Sequence, residues 1–152
     1  MRDAADIQAL YRDKVLDHCR HPRNCRRIDA ADRVAEGHNP LCGDKVTIYL
    51  RLDRDVVKEA AFEAVGCAIS LASASMLTEM VRGKRIAEVE SVVREVEALF
   101  GPDGERSALA RDTDIAALCG VRAYPSRIRC ATLPWHTLHA ALQCRKTAVS
   151  TE

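Results

Sequence analysis

One stretch restricts the fold more than any other. From Val46 to Leu52 the side chains alternate: Val46, Ile48, Leu50 and Leu52 fall on one side, Lys45, Thr47, Tyr49 and Arg51 on the other. A two-residue period belongs to a strand with one buried face. Val57 to Val65 reads as a second strand, and Asp53-Arg54-Asp55 between them as a hairpin turn. Arg33 to His38 is a third strand candidate. A small sheet of this kind needs cover on its apolar face.

Helical patterns supply that cover. Ile7, Leu10, Tyr11 and Val15 share helical spacing between Ile7 and Cys19, and Pro22 should end this helix near His21. Residues 23–32 are polar and basic and read as a loop. Cys67 to Arg82 reads as a helix stopped by Gly83, with Ile69, Ser73, Met76 and Met80 on one face. Its run of small residues, Ala68 to Ser75, lets it lie close to the sheet. Ala87 to Phe100 is amphipathic, with Val89, Val93, Val96 and Phe100 inward, and Gly101-Pro102-Asp103-Gly104 breaks it. Residues 105–124 read as a polar connection with a short helix around Asp114 to Cys119. A last helix runs to about Cys144, starting either at a Ser126 cap or with Pro134 in its first turn. The order implies an α+β fold: a small antiparallel three-stranded sheet with helices packed on one face.

A chain of 152 residues suits a single domain over 1–152, with an ordered core at about 7–143 and short tails. Aromatics are 4%, so aliphatic side chains must fill the core. Basic and acidic residues number 23 and 22, a balance that argues against nucleic acid as a partner and against electrostatic membrane docking. No stretch approaches the roughly 20 apolar residues of a membrane span. The first residues carry no apolar signal region, so the expected location is cytoplasmic. Thiols stay reduced there, yet the chain has seven cysteines. An odd number cannot pair completely within one chain, and such enrichment points to metal binding or thiol chemistry.

Three segments could carry that chemistry. In Asn39-Pro40-Leu41-Cys42-Gly43-Asp44, Asn-Pro forces a turn, and Gly43 lets the backbone bend so that Cys42 and Asp44 face one point. Gly66-Cys67 lies where a strand gives way to a helix, and a helix N-terminus favours thiolate. In Arg127-Ile128-Arg129-Cys130, two cations do the same. Together Cys42, Asp44, Cys67 and Cys130 could form a tetrahedral site of three sulfurs and one oxygen, suited to Zn²⁺ or an iron–sulfur cluster. The alternative is that buried cysteines act as small hydrophobes, the better reading for Cys119 and Cys144.

These residues also carry a resemblance. Leu10-Tyr11, Asp17-His18, His21-Pro22-Arg23-Asn24, Asn39 to Asp44, Gly66-Cys67-Ala68-Ile69-Ser70, Ala72 to Met76 and Arg127 to Trp135 follow one another as in the IscU/NifU N-terminal-domain family of iron–sulfur cluster assembly proteins. The match spans roughly residues 7–143. In the IscU scaffolds a histidine directly precedes the last cysteine, where this chain has Arg129. The segment between Cys67 and Cys130 is also longer here, with the extra length around 101–121. Both features resemble the SufU branch.

The resemblance implies a zinc-bound sulfurtransferase that accepts persulfide sulfur from a SufS-type cysteine desulfurase and serves a SufBCD-type scaffold. It puts the metal on Cys42, Asp44, Cys67 and Cys130, with Cys42 as sulfur acceptor and Cys130 as second candidate. Arg127 supplies charge support, since three thiolates and a carboxylate exceed the charge of zinc. The alternative is a scaffold that assembles a transient 2Fe–2S cluster on the same ligands. The family usually has tyrosine where this chain has Cys19 and glycine where it has Cys25, so a positive φ is expected to strain Cys25. His18, Cys19, His21 and Cys25 form a dense group that reads better as a helix-end surface than as a second zinc site. His136 and His139 read as solvent-side or capping residues, Trp135 as core or partner contact, and Met76 and Met80 as core.

Overall fold

The alternating segment is a pleated strand at the centre of the sheet. The computed structural model describes residues 4–40, 42–101, 114–143 and 149–150. Strand β2 (Asp44–Asp53) pairs antiparallel with β3 (Val56–Val65), in register from Lys45 opposite Val65 to Asp53 opposite Val56, with one irregularity at Arg51/Leu52. The turn is tight, and Arg54 takes a φ of 59° to close it. Strand β1 (Arg33–Asn39) pairs antiparallel with the other side of β2 and sets Asn39 opposite Asp44. Val149–Ser150, strand β4, adds a short parallel pairing to β1, giving the order β3-β2-β1-β4. Two residues are too few for an alternating pattern, so the sequence carried no sign of β4.

The helices are α1 (Ala4–Arg20), α2 (Ala68–Val81), α3 (Ile86–Leu99), a single turn α4 (Asp114–Ala117) and α5 (Pro125–Leu142). A 3-10 segment, Leu118–Ala123, joins the last two. Helix α5 lies over β1 and β2 and against α2 and α3, while α1 packs on α2. Helix α2 is buried from Ile69 to Val81 on most of its circumference, because its alanines and serines let α1, α5 and the sheet approach together. Ile48, Leu50, Phe62, Leu77, Trp135 and Leu138 are fully enclosed at the centre. Met76 is buried, and Met80 packs at the core's margin.

Three details differ from the sequence reading. Helix α5 starts at Pro125, whose fixed φ and missing N–H suit a first turn. Ser126 is therefore no cap, and Pro134 lies in the helix interior. The left-handed residue in the 23–32 loop is Asn24, with a φ of 58°, and not Cys25. Asparagine tolerates that region, and its Nδ2 donates to Thr78 Oγ1 at 3.1 Å. Cys25 bridges instead to Phe62 at the sheet edge. Finally, Tyr49 is buried although it lies on the outer face, because the loop lays Ile28 over it beside Ala61. Its hydroxyl donates to Glu63. The Gly101 break is described only at its first residue. Residues 105–113, Cys144 and the side chain of Cys119 lie outside the described part. No described helix is long and apolar enough to cross a membrane.

Candidate metal centre

Three elements converge at the end of the sheet where β1 turns into β2. The Cys42 N–H donates to the Asn39 carbonyl at 3.2 Å, closing the turn that Pro40 begins. Gly43 follows with a φ of 70°, which lets Cys42 and Asp44 approach one another. Strand β3 ends beside Asp44, and Gly66 then takes a φ of 134°. A Cβ at Gly66 would sit 2.2 Å from Asp44 Oδ1, so only glycine lets this chain pass the carboxylate. Cys67 follows at the N-cap position of α2, and its N–H donates to Asp44 Oδ1 at 2.7 Å. Helix α5 brings Cys130 from the other side.

The ligand atoms of Cys42, Asp44 and Cys130 all lie within 4.8 Å of one another, the only group of three or more such residues among those described. Cys130 Sγ is 3.4 Å from Cys42 Sγ, and Cys67 Sγ is 3.6 Å from Asp44 Oδ2. Zinc–sulfur bonds of about 2.3 Å would hold two tetrahedral sulfurs roughly 3.8 Å apart, close to the observed spacing. Two thiols and one carboxylate facing a common point suit three corners of a tetrahedral metal, and the Cys67 thiol stands beside the carboxylate. Cys130 and Asp44 are buried, whereas Cys42 and Cys67 are partly open. An exposed Arg127 sets its guanidinium 3.8 Å from Cys42 Sγ.

The electrostatics follow from this packing. Burial pushes the Asp44 carboxyl up, but bonds from the Cys67 N–H, the Cys130 thiol, the Ser70 hydroxyl and the Cys67 thiol outweigh it and hold the group below the ordinary aspartate value. Burial raises the Cys130 thiol well above the ordinary range, and its bonds to Asp44 and Cys42 add to the effect. Without a metal, Cys130 is thus a protonated thiol beside an ionised carboxylate. A divalent cation would reverse that preference, because a coordinated thiol loses its proton.

All five residues singled out in the sequence therefore meet, with Cys67 reaching the group through Asp44. Two others were visible in the motifs only as a turn former and a helix residue. Asn39 is fully buried, with Nδ2 3.4 Å from Cys130 Sγ and Oδ1 without a partner among the described residues. Ser70 Oγ stands 3.0 Å from both Asp44 Oδ2 and the Cys130 carbonyl. Neither contact leaves a periodic signal, since each joins residues far apart in the chain.

The second histidine–cysteine group does not assemble as a ligand set among the described residues. His18 is buried and bonds Ser75 Oγ at 2.7 Å, Cys19 Sγ donates to the Ala68 carbonyl at 3.1 Å, and His21 and Cys25 are exposed. His136 faces Glu97 at 3.5 Å, and His139 contacts Gln143 at 3.0 Å, both away from the centre. Trp135 is core.

Fold and site together define a class: α+β proteins with a mixed thiol–carboxylate centre, able to hold a metal, at the junction of a sheet and two helices. The chain belongs to the NifU-like N-terminal domain family, whose model matches residues 10–143, and stands with the SufU and IscU proteins of iron–sulfur cluster assembly. It is 39% identical over 135 residues to the zinc-dependent sulfurtransferase SufU of Bacillus subtilis, covering 88% of this chain and 90% of that one. It is 35% identical over 137 residues to the iron–sulfur cluster assembly scaffold protein IscU of Thermotoga maritima, covering 90% and 95%. The crystal structure of the SufU protein of Fervidobacterium islandicum AW-1 superposes with a TM-score of 0.78 at 32% identity, covering 89% of this chain and 98% of that one.

Proposed function

We propose that this chain is a zinc-bound sulfurtransferase of iron–sulfur cluster assembly. In this reading Cys42, Asp44, Cys67 and Cys130 hold the metal, and Cys42 receives sulfur from a SufS-type cysteine desulfurase. The observation that carries it is the contrast between the thiols. Cys130 is fully enclosed, whereas Cys42 is partly open on a Pro/Gly-bounded turn with the Arg127 guanidinium beside it. A sulfur acceptor must be reachable and must move. Zinc supplies deprotonation of the bound thiols at neutral pH.

The transfer is a thiol exchange and needs no added oxidant. The Cys42 thiolate attacks the outer sulfur of the desulfurase persulfide, forming one S–S bond as the original one breaks. The desulfurase cysteine leaves as thiolate, and Cys42 carries the persulfide onward to a scaffold of SufBCD type. Arg127 balances the surplus negative charge of three thiolates and a carboxylate around a divalent metal. Cys130 is the second candidate acceptor, disfavoured by its burial.

A second reading, a scaffold for a transient 2Fe–2S cluster on the same four residues, has the comparable similarity to the Thermotoga IscU in its favour. Arg129 stands exposed in the position before Cys130, where the IscU scaffolds have histidine. Metal analysis of anaerobically purified protein, combined with a cysteine-dependent sulfide assay with a SufS-type enzyme, separates the two. One zinc per chain and stimulated sulfide release support transfer. Iron with acid-labile sulfide, and no stimulation, overturns it for the scaffold.

A further inference from the structure

Helix α5 contains a proline in its interior, Pro134, four residues after Cys130. Proline has no N–H, so the helix offers no i+4 donor to the Cys130 carbonyl. That carbonyl is buried, and a buried acceptor needs a partner. Helix α2 provides one: Ser70 Oγ lies 3.0 Å from it. One turn further on, Ser73 Oγ donates to the neighbouring Ala131 carbonyl. Ser73 has that single acceptor among the contacts seen, but Ser70 has two, because Asp44 Oδ2 is also 3.0 Å away. A serine hydroxyl carries one hydrogen. It cannot fully serve both acceptors at once.

We propose that Ser70 is a positioning residue of the metal centre, dividing its one hydroxyl proton between the Asp44 carboxylate and the Cys130 carbonyl left open by Pro134. The inference rests on the zinc reading given above. Oδ1 of Asp44 is held by the Cys67 N–H, so Ser70 sets the orientation of Oδ2, the oxygen beside the Cys67 thiol. The bond to Oδ2 would keep the carboxylate aimed at a metal held by the thiols, and the bond to the Cys130 carbonyl steadies the helix turn that presents that thiol. The serine links the weakest ligand of the centre to the backbone of its most buried one, and Pro134 makes that link necessary.

A double-mutant cycle of wild type, Ser70→Ala, Pro134→Ala and both together tests it, using full-length protein. Three quantities are read: zinc affinity by chelator competition, the visible spectrum of Co²⁺-loaded protein, and the thermal midpoint of metal-free protein. In Pro134→Ala a helical N–H serves Cys130, so Ser70 belongs wholly to Asp44. Ser70→Ala should then weaken zinc by about tenfold in the native background and by closer to a hundredfold beside Pro134→Ala, the range typical for groups that hydrogen-bond a metal ligand. Its cost to the metal-free midpoint should shrink in the same background, since Cys130 no longer depends on the hydroxyl. Opposite trends of this kind, with shifted cobalt bands, are not produced by a merely structural serine. Equal losses in both backgrounds overturn the proposal. If Ser70→Ala does not fold, Pro134→Ala decides alone: tighter zinc with shifted cobalt bands supports the link, and an unchanged affinity and spectrum overturns it. Wild-type protein that binds no zinc overturns the zinc reading itself, whereas normal zinc binding with an additive cycle overturns only the role of Ser70.

Discussion

Asp44 is the residue on which the centre turns. Its Oδ1 takes the Cys67 N–H, its Oδ2 faces Ser70 and the Cys67 thiol, and the Gly66 backbone passes against it. Carboxylate oxygen binds zinc less strongly than thiolate in a sulfur-rich site, which in the proposed zinc centre would make Asp44 the ligand that can exchange. Asp44→Ala should keep most of the zinc on three sulfurs, mis-set Cys42, and lower stimulation of the desulfurase without producing colour. A red-brown, stable Asp44→Ala protein after anaerobic purification would point to a trapped cluster and a scaffold. Gly66→Ala attacks the same point from the backbone. A residue with a side chain at a φ of 134° is strained, and its Cβ meets the carboxylate. We expect a loss of about 1–3 kcal/mol from the strain alone, with zinc affinity falling too. Urea unfolding of the metal-free protein checks the first part, and chelator competition the second.

At the scale of elements, the sheet has two unlike faces. Its inner face is covered by α2 and α5, while its outer face is closed at one place by Ile28 over Tyr49 and Ala61. Burial, and then the bond to Glu63, raise the Tyr49 phenol to about 12 from an ordinary value of 10.0. The folded state therefore holds this proton more tightly than the unfolded chain. Below about pH 10 both states are protonated and the stabilising contribution is complete. Between about 10 and 12 the unfolded chain binds fewer protons than the folded one, so stability falls as pH rises. Tyr49→Phe should remove that part of the alkaline slope, leaving the remaining lysine and tyrosine titrations. Urea midpoints measured across this window in both proteins test it. Little change in slope would mean that the loop does not shield Tyr49 in solution.

For the whole molecule, the proposed metal centre would act as a clasp. Cys42 and Asp44 come from the β1–β2 turn, Cys67 from the junction of β3 and α2, and Cys130 from α5, so one bound ion would join three separate parts of the chain. Binding to the folded state alone stabilises by mass action. Chelation should lower the thermal midpoint of wild-type protein, and Cys67→Ala should lower it in advance and abolish the response. An unchanged midpoint and full zinc in Cys67→Ala would remove Cys67 from the ligand set. Of the other described thiols, Cys19 bonds the carbonyl of Ala68, next to Cys67, and Cys25 lies at the sheet edge. A Cys19→Ser, Cys25→Ser double variant is expected to bind zinc and stimulate a desulfurase like wild type, measured by the sulfide assay.

What the sequence determined by itself were the features with a local cause. The two-residue period of Val46–Leu52 and the polar turn after it specify the hairpin, and Pro22 and Gly83 bound their helices within a residue or two. The motifs around Cys42, Cys67 and Cys130, read through a family resemblance, pick out side chains that the fold brings close together. Tertiary structure decided the rest, because the causes there lie far apart in the chain. Nothing near Tyr49 says that Ile28 will cover it. The start of α5 is ambiguous locally, since a serine and two prolines compete for the first turn, and packing over β1 and β2 settles it at Pro125 and forces Pro134 inside. The consequence of that choice, a buried Cys130 carbonyl served by Ser70 from another helix, exists only once α2 and α5 are side by side. Hydrogen bonds between distant residues follow from packing, and packing is a property of the whole chain.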